Sequence, residues 1–165
     1  MAELTEAMGI TKPSLYAAFG NKEQLFQKAL DLYEREKLAY TREALTQPNA
    51  RAVAEHLLRG ALDAQTGGAG PRGCLRVVSA TACGPEGQSI KDDIAKRRAS
   101  SSAALMSRFA QAERDGDLPP RLTPETLARF LYVVLQGMAV QAASGTPRAE
   151  LEGVIDAALS IWPPA

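Results

Sequence analysis

Aromatic side chains are scarce in this chain, with four Phe, four Tyr and one Trp among 165 residues. That shortage, set against abundant alanine, disfavours a stranded fold and favours packed helices. Cysteine is scarcer still: Cys74 and Cys83 are too few for a disulfide framework, and their spacing matches no metal motif. The single histidine, His56, leaves no second imidazole for a metal cluster, and Ser79 has no G-x-S-x-G elbow around it. No carboxylate pair stands out either, so the sequence predicts no catalysis, no metal and no cofactor. Formal net charge is zero, which lends no support to nucleic-acid binding. No apolar run has the length of a membrane span, and no signal peptide is visible at the start, so the expectation is a cytoplasmic protein without a membrane partner. What the composition does allow is an ordinary hydrophobic core, in one or two small domains.

The densest information lies in residues 4–26. Leu4, Ala7 and Met8 share one helical face. Gly9 breaks that helix where positive φ is needed, and Ile10 plugs the corner. Thr11 is placed to cap the next helix, with Pro13 tolerated in its first turn. Leu15 and Phe19 give this helix a buried stripe, and Gly20 ends it. Asn21 caps a third helix, with Gln24 three residues on completing a capping-box pattern. Two short helices around a glycine turn make a helix-turn-helix, whose second helix is shaped for a DNA major groove. Lys12 and Ser14 would sit in its first turn, within reach of base edges, while Tyr16 and Lys22 are better placed for phosphates. The competing reading is an ordinary helical hairpin with solvated polar residues. Residues 1–22 hold two lysines, Lys12 and Lys22, against Glu3 and Glu6, so local charge does not decide between them.

Residues 4–8, Gly9-Ile10, the run Thr11-Lys12-Pro13-Ser14-Leu15-Tyr16, Phe19, Asn21-Lys22 and Leu25-Phe26 together resemble the DNA-reading module of the tetracycline-repressor (TetR) family of bacterial transcriptional regulators. The resemblance is dense over about 25 residues and architectural beyond them; Gly73-Cys74-Leu75 also looks like a short signature of one branch of that family. It implies DNA contacts by Thr11, Lys12, Pro13, Ser14, Tyr16 and Lys22. In that family a further helix precedes the module and packs across its back. Here Met1 falls at the start of the family's second helix, and the expectation is that the sequence begins downstream of the natural start. Without that helix, Leu4, Met8, Leu15 and Phe26 would lack part of their apolar cover.

The helix opening at Lys22 is expected to run on to Leu45, burying Phe26, Leu30, Tyr33, the stem of Lys37 and Tyr40, as a connector to a second domain. A boundary near Thr46-Gln47-Pro48-Asn49 divides residues 1–45 from 46–165. Helices are then predicted over 51–65 (Val53, Leu57, Leu58, Leu62 inward), 74–83, 90–114 (Ile94, Leu105, Phe109 inward), 124–144 and from Pro147 to Trp162. Loops fall at 66–73 and at Gly84-Pro85-Glu86-Gly87. The 124–144 helix is apolar on more than one face, so it must be covered on two sides. One covering would be a second copy of the chain: paired with the last helix it would build a four-helix bundle across a two-fold axis. Candidate interface residues are Leu127, Leu131, Leu135, Met138, Leu151, Val154, Ile155, Ala158, Leu159 and Trp162; a monomeric core helix is the alternative.

Several other features have a plain reading. The run 68–73 spells G-x-G-x-x-G, but no strand precedes it and Pro71 removes an amide, so a loop is expected. His56 reads as a partly exposed helix residue, Cys74 and Cys83 as small buried groups, and Arg97-Arg98 as a solvated face. The sequence therefore predicts an all-α chain: a helix-turn-helix followed by a helical ligand-binding and dimerising domain. By resemblance, it would be a dimeric regulator on a near-palindromic double-stranded operator, a repressor in the family manner, released when a small, mostly apolar ligand shifts the connecting helix. Apolar patterning nominates Leu58, Leu62, Val78, Leu105, Phe109, Phe130 and Val134 for the ligand. The rival readings are a dimeric small-molecule-binding protein that has lost DNA binding, and a small helical enzyme.

Overall fold

Helix ends are written into this sequence as caps, and the structure uses them. The computed structural model describes residues 1–68, 70–82 and 87–162; Cys83 and the expected turn at Gly84-Pro85-Glu86 lie outside the described residues. Secondary structure among the described residues is helical: α1 (Ala2–Ala7), α2 (Lys12–Phe19), α3 (Lys22–Glu36), α4 (Ala39–Leu45), α5 (Ala50–Thr66), α6 (Leu75–Ala82), α7 (Gln88–Arg114), α8 (Pro124–Ala143) and α9 (Arg148–Leu159). They form two compact units, Met1–Glu36 and Lys37–Ala165.

In the first unit α1 closes on Gly9 at φ 62°. The Gly9 amide donates to the Glu6 carbonyl and the Ile10 amide to the Thr5 carbonyl, at 3.0 and 3.1 Å, which is a Schellman closure. Thr11 then accepts the Ser14 amide at 3.3 Å and starts α2. After Gly20, Asn21 Oδ1 accepts the Gln24 amide (2.9 Å) while the Asn21 amide donates to Gln24 Oε1 (3.0 Å), the expected capping box. Leu15 and Leu30 are fully buried between the helices. Leu4 and Met8 are exposed.

The second unit is organised around α5, which packs against α4, α7, α8 and α9. Asn49 caps it by accepting the Ala52 amide at 2.8 Å, and the Ala50 amide donates to Asp117 Oδ2. Its buried face carries Val53, Leu57, Leu58 and Leu62. Against it lie Leu105 and Phe109 of α7, Leu127, Leu131 and Met138 of α8, and Leu151, Ile155 and Leu159 of α9. Thr123 caps α8 through the Thr126 amide with Pro124 in the first turn, as the sequence predicts. Arg59–Asp156 (3.5 Å) and Arg148–Asp63 (2.7 Å) tie α5 to α9; both pairs are exposed and set register more than stability. By length and composition α8 is apolar enough to cross a membrane. The core helix of a globular protein passes the same test, and one side of α8 is buried against its own unit.

The expected single helix over 22–45 is two helices. α3 stops at Glu36, Leu38 takes a non-helical conformation (φ −108°, ψ 17°), and α4 restarts at Ala39. Thr41 stabilises the restart by donating from both its amide and its hydroxyl to the Leu38 carbonyl. The break turns Leu38 and Ala44 inward, whereas Lys37, expected to bury its stem, is exposed. α4 thus packs on α5, and the division between units comes after Glu36 rather than after Leu45.

Phe109 has no exposed surface and touches the centre of this core. Phe109→Ala should cost about 3–5 kcal/mol, read as a lower urea midpoint at unchanged m-value. A loss under about 1 kcal/mol would contradict this packing.

Candidate functional site

The first unit presents α2 by its N-terminal turn. Leu15 anchors the helix from below, so Thr11, Lys12, Pro13, Ser14 and Tyr16 are all exposed, and Lys22 is exposed at the first turn of α3. Thr11 Oγ1 and Ser14 Oγ lie 2.9 Å apart, so the two hydroxyls satisfy each other as well as the cap. No ion pair or side-chain hydrogen bond occupies Lys12, Tyr16 or Lys22 among the described residues. At the far end of α2, the Lys28 ammonium sits 5.5 Å from the Phe19 ring and donates to the Ala18 carbonyl at 3.4 Å. The helix is therefore held at both ends while its polar first turn stays free. With Lys22 of α3 beside it, α2 offers two cations, a phenol and two hydroxyls on short capped helices, which suits phosphates and base edges.

The second unit contains a cavity with walls from five helices. Leu38, Tyr40 and Thr41 come from α4 and its lead-in, Leu57 and Gln65 from α5, Cys74, Arg76 and Val77 from α6 and its lead-in, Ser101 from α7, and Tyr132, Leu135 and Gln136 from α8. It encloses about 550 Å³ of unfilled space including its open mouth. A second space of about 560 Å³ adjoins it, sharing Thr41, Leu57, Ser101 and Tyr132 and adding Arg42, Ser100 and Leu105. Burial pushes the Tyr132 phenol above its ordinary pKa, while Arg76, a hydrogen bond with Ser101 and Arg98 pull the other way. The phenol therefore stays protonated at neutral pH and available to hydrogen-bond. Cys74 is a free, half-buried thiol in the same wall.

These walls are not the ones apolar patterning nominated. Of the seven candidates for the ligand, Leu105 borders the adjoining space. Leu58, Leu62 and Phe109 are sealed in the core, Val78 is 45% exposed, and Phe130 and Val134 are half-buried against the core without lining either space. The most regular apolar positions pack tightest, and tight packing leaves no room for a guest. The cavity lies where polar residues, Gln65, Ser101, Tyr132 and Gln136 among them, stand beside apolar ones. One signal was available: Leu58, Ala61, Leu62 and Gln65 follow i, i+3, i+4, i+7 spacing, which places a glutamine on a buried face.

The interface candidates need a similar correction. Leu127, Leu131, Met138, Leu151, Ile155, Ala158, Leu159 and Trp162 are buried in their own unit and unavailable to another chain, and Leu135 lines the cavity. Val154 alone of the set is exposed, at 44%. The outer side of α8 instead carries Val133 (65% exposed) and Val140 (52%). An added Cβ at Gly137 of α8 or at Gly153 of α9 would meet nothing within 4 Å.

His56 is half-buried, with Nε2 3.3 Å from Glu43 Oε2. Arg97 pairs with Asp93 at 2.8 Å. The segment from Gly68 to Gly73 has no helical or strand structure at its described residues, and Arg72 donates from it to the carbonyls of Gly145 and Thr146. Gly73, first residue of the Gly-Cys-Leu signature, has φ 98°, and its amide donates to the Gln65 carbonyl at 2.9 Å.

Comparison with known proteins converges on one family. Residues 1–29 match the model of the bacterial regulatory proteins of the tetR family. Over 166 aligned residues the chain is 30% identical to the HTH-type transcriptional repressor ComR of Escherichia coli (strain K12), covering 99% of this chain and 79% of that protein. A solved cysteine-mutant form of the TetR family transcriptional regulator CifR, complexed with 26-base-pair double-strand operator DNA, superposes with a TM-score of 0.90 at 41% identity, over 99% of this chain and 86% of that one. A TetR transcriptional regulator from Rhodococcus sp. RHA1 superposes at 0.71 with 38% identity, over 99% and 88%.

Gly73 lies close to α8: an added Cβ would stand 2.9 Å from the Ala143 Cβ and 3.0 Å from the Ala139 carbonyl. Gly73→Ala combines that clash with a strained φ and should lower stability by more than about 1 kcal/mol. Thermal melts read the effect, and an unchanged Tm would contradict the placement of this loop.

Proposed function

Because this chain belongs to the TetR family of transcriptional regulators, we propose that it acts as a homodimeric, operator-binding repressor whose hold on DNA is set by a small molecule in the second unit. The observation that carries this reading is the first turn of α2, polar, outward and rigidly capped. In the groove, Lys12 and Ser14 would meet base edges, with Lys suited to guanine acceptors. Thr11 and Pro13 would pack against the backbone, and Tyr16 and Lys22 would bind phosphates, Lys22 with help from the amide end of α3. These contacts supply affinity that falls with salt, which compensates for the neutral charge of the whole chain.

Val133, Gly137 and Val140 follow i, i+4, i+7 spacing along one side of α8, and Val154 with Gly153 continues an apolar surface on α9. A second copy related by a two-fold axis would bury both faces at once. The ligand would enter the cavity beside Tyr132. Only Lys37 and Leu38 separate α3 of the reading unit from α4, which forms one cavity wall. A ligand that prefers one placement of α4 would bias the reading heads through that short link, by no more than its difference in affinity for the two states. Like other regulators of its family, the protein would work in the cytoplasm.

Two measurements check this reading. In mobility-shift titrations with the DNA upstream of its own gene, Tyr16→Ala with Lys22→Ala should weaken binding at least about tenfold, and a double mutant that binds as the native protein would overturn the assignment. In sedimentation velocity, Val140→Glu should shift the protein from dimer to monomer while it remains folded, since the site is exposed; a persistent dimer would place the interface elsewhere.

A further inference from the structure

We propose that the cavity of the second unit takes a small organic anion, a carboxylate on a compact apolar body, and that Arg76 selects its charge. The inference rests on the reading of the cavity as the ligand site, and it names the ligand class. Two spaces meet there, sharing Thr41, Leu57, Ser101 and Tyr132. Arg76 lines one and Arg42 the other, and no aspartate or glutamate lines either. Every charged side chain at these walls is therefore a cation. Arg42 is exposed and screened by solvent, which leaves the half-buried Arg76 as the charge that counts. The Tyr132 phenol lies in the fields of Arg76 and Arg98, and among the described residues no carboxylate opposes them there. Such a field weakens with distance, so the charged end of Arg76, and not its stem alone, comes near the phenol where the two spaces join.

The uncharged polar groups of the walls do not fix the sign of a guest. The Thr41 hydroxyl donates to the Leu38 carbonyl and the Ser101 hydroxyl to the Arg97 carbonyl, at 2.7 and 3.0 Å. The Gln65 amide donates to the Leu135 carbonyl, and its Oε1 has no surface that a guest could reach. Gln136 and the two phenols, Tyr40 and Tyr132, each combine donor and acceptor, and Cys74 adds a thiol, a weak donor. Groups of this kind can serve a carboxylate, an amide or a hydroxyl. A guanidinium cannot, because it only donates and is always charged. Arg76 makes a further contact within the protein, and its five N–H donors can serve that contact and a guest together. A carboxylate beside Tyr132 would gain charge-assisted hydrogen bonds from Arg76, with its body against Leu38, Leu57, Val77 and Leu135. A neutral guest of the same shape forgoes that gain, and a cation is repelled.

Benzoate, benzamide and benzylammonium test this, since they share a ring and differ in charge. Titration of the full chain at neutral pH and low salt, followed by ligand-observed NMR, should show benzoate binding at least about tenfold more tightly than benzamide, and benzylammonium more weakly than either. Arg76→Gln should bring benzoate to the level of benzamide. If that variant melts early, Arg76→Met keeps an unbranched stem, and the three-way comparison on the native protein needs no variant at all. Equal binding of benzoate and benzamide, no saturable benzoate binding, benzylammonium binding as tightly as benzoate, or a benzoate preference that survives in folded Arg76→Gln or Arg76→Met would overturn the inference. A parallel mobility shift on the upstream DNA separates the two readings. DNA binding without benzoate preference removes the charge selection alone; benzoate preference without DNA binding removes the regulator reading and leaves the anion site standing.

Discussion

The apolar face of α5 is the constraint that the second unit obeys. From Val53 to Leu62 it offers a stripe that four other helices close over, and each large side chain buried there contributes roughly 1.5–3 kcal/mol. Leu57 within that stripe and Gln65 near its end also line the cavity, so one helix serves core and cavity together. The cavity is thus bounded by a core helix, whose buried Gln65 donates to the Leu135 carbonyl of α8 and leaves its Oε1 unpaired.

The reading head depends on a different kind of force. It is small, and its shape comes from local bonding more than from buried area. A glycine with positive φ, a threonine cap, a capping box and one sealed leucine are enough to orient α2. Each of these devices acts within a few residues of itself. That is why residues 4–26 were readable from the sequence almost position by position, and why their likeness to one family was visible there.

Elsewhere periodicity identified helices but not their partners. Of the segment 74–83, Leu75–Ala82 is helical, and apart from the broken 22–45 connector the long helices begin and end within a few residues of their expected limits. The faces were harder. Leu151, Ile155 and Ala158 form the most regular stripe on α9, and a regular stripe marks burial without saying against what. Here it turned to the chain's own core, while the looser valine and glycine set on the outer side of α8 and α9 was left uncovered. The same ambiguity touches the residues nominated for a ligand: Leu58, Leu62 and Phe109 fill the core instead of lining the cavity.

Local chemistry, then, determined this protein's helical class, its caps and turns, and the exposed polar start of α2 at Thr11, Lys12 and Ser14, since hydrogen bonds between near neighbours depend on residues close in the chain. Tertiary structure alone decided that the connector breaks at Leu38, that α4 walls a cavity, and that Gln65 is buried with an unpaired oxygen. Those outcomes depend on which helices meet across long stretches of sequence, and a hydrophobic stripe specifies that it will be covered without specifying by whom.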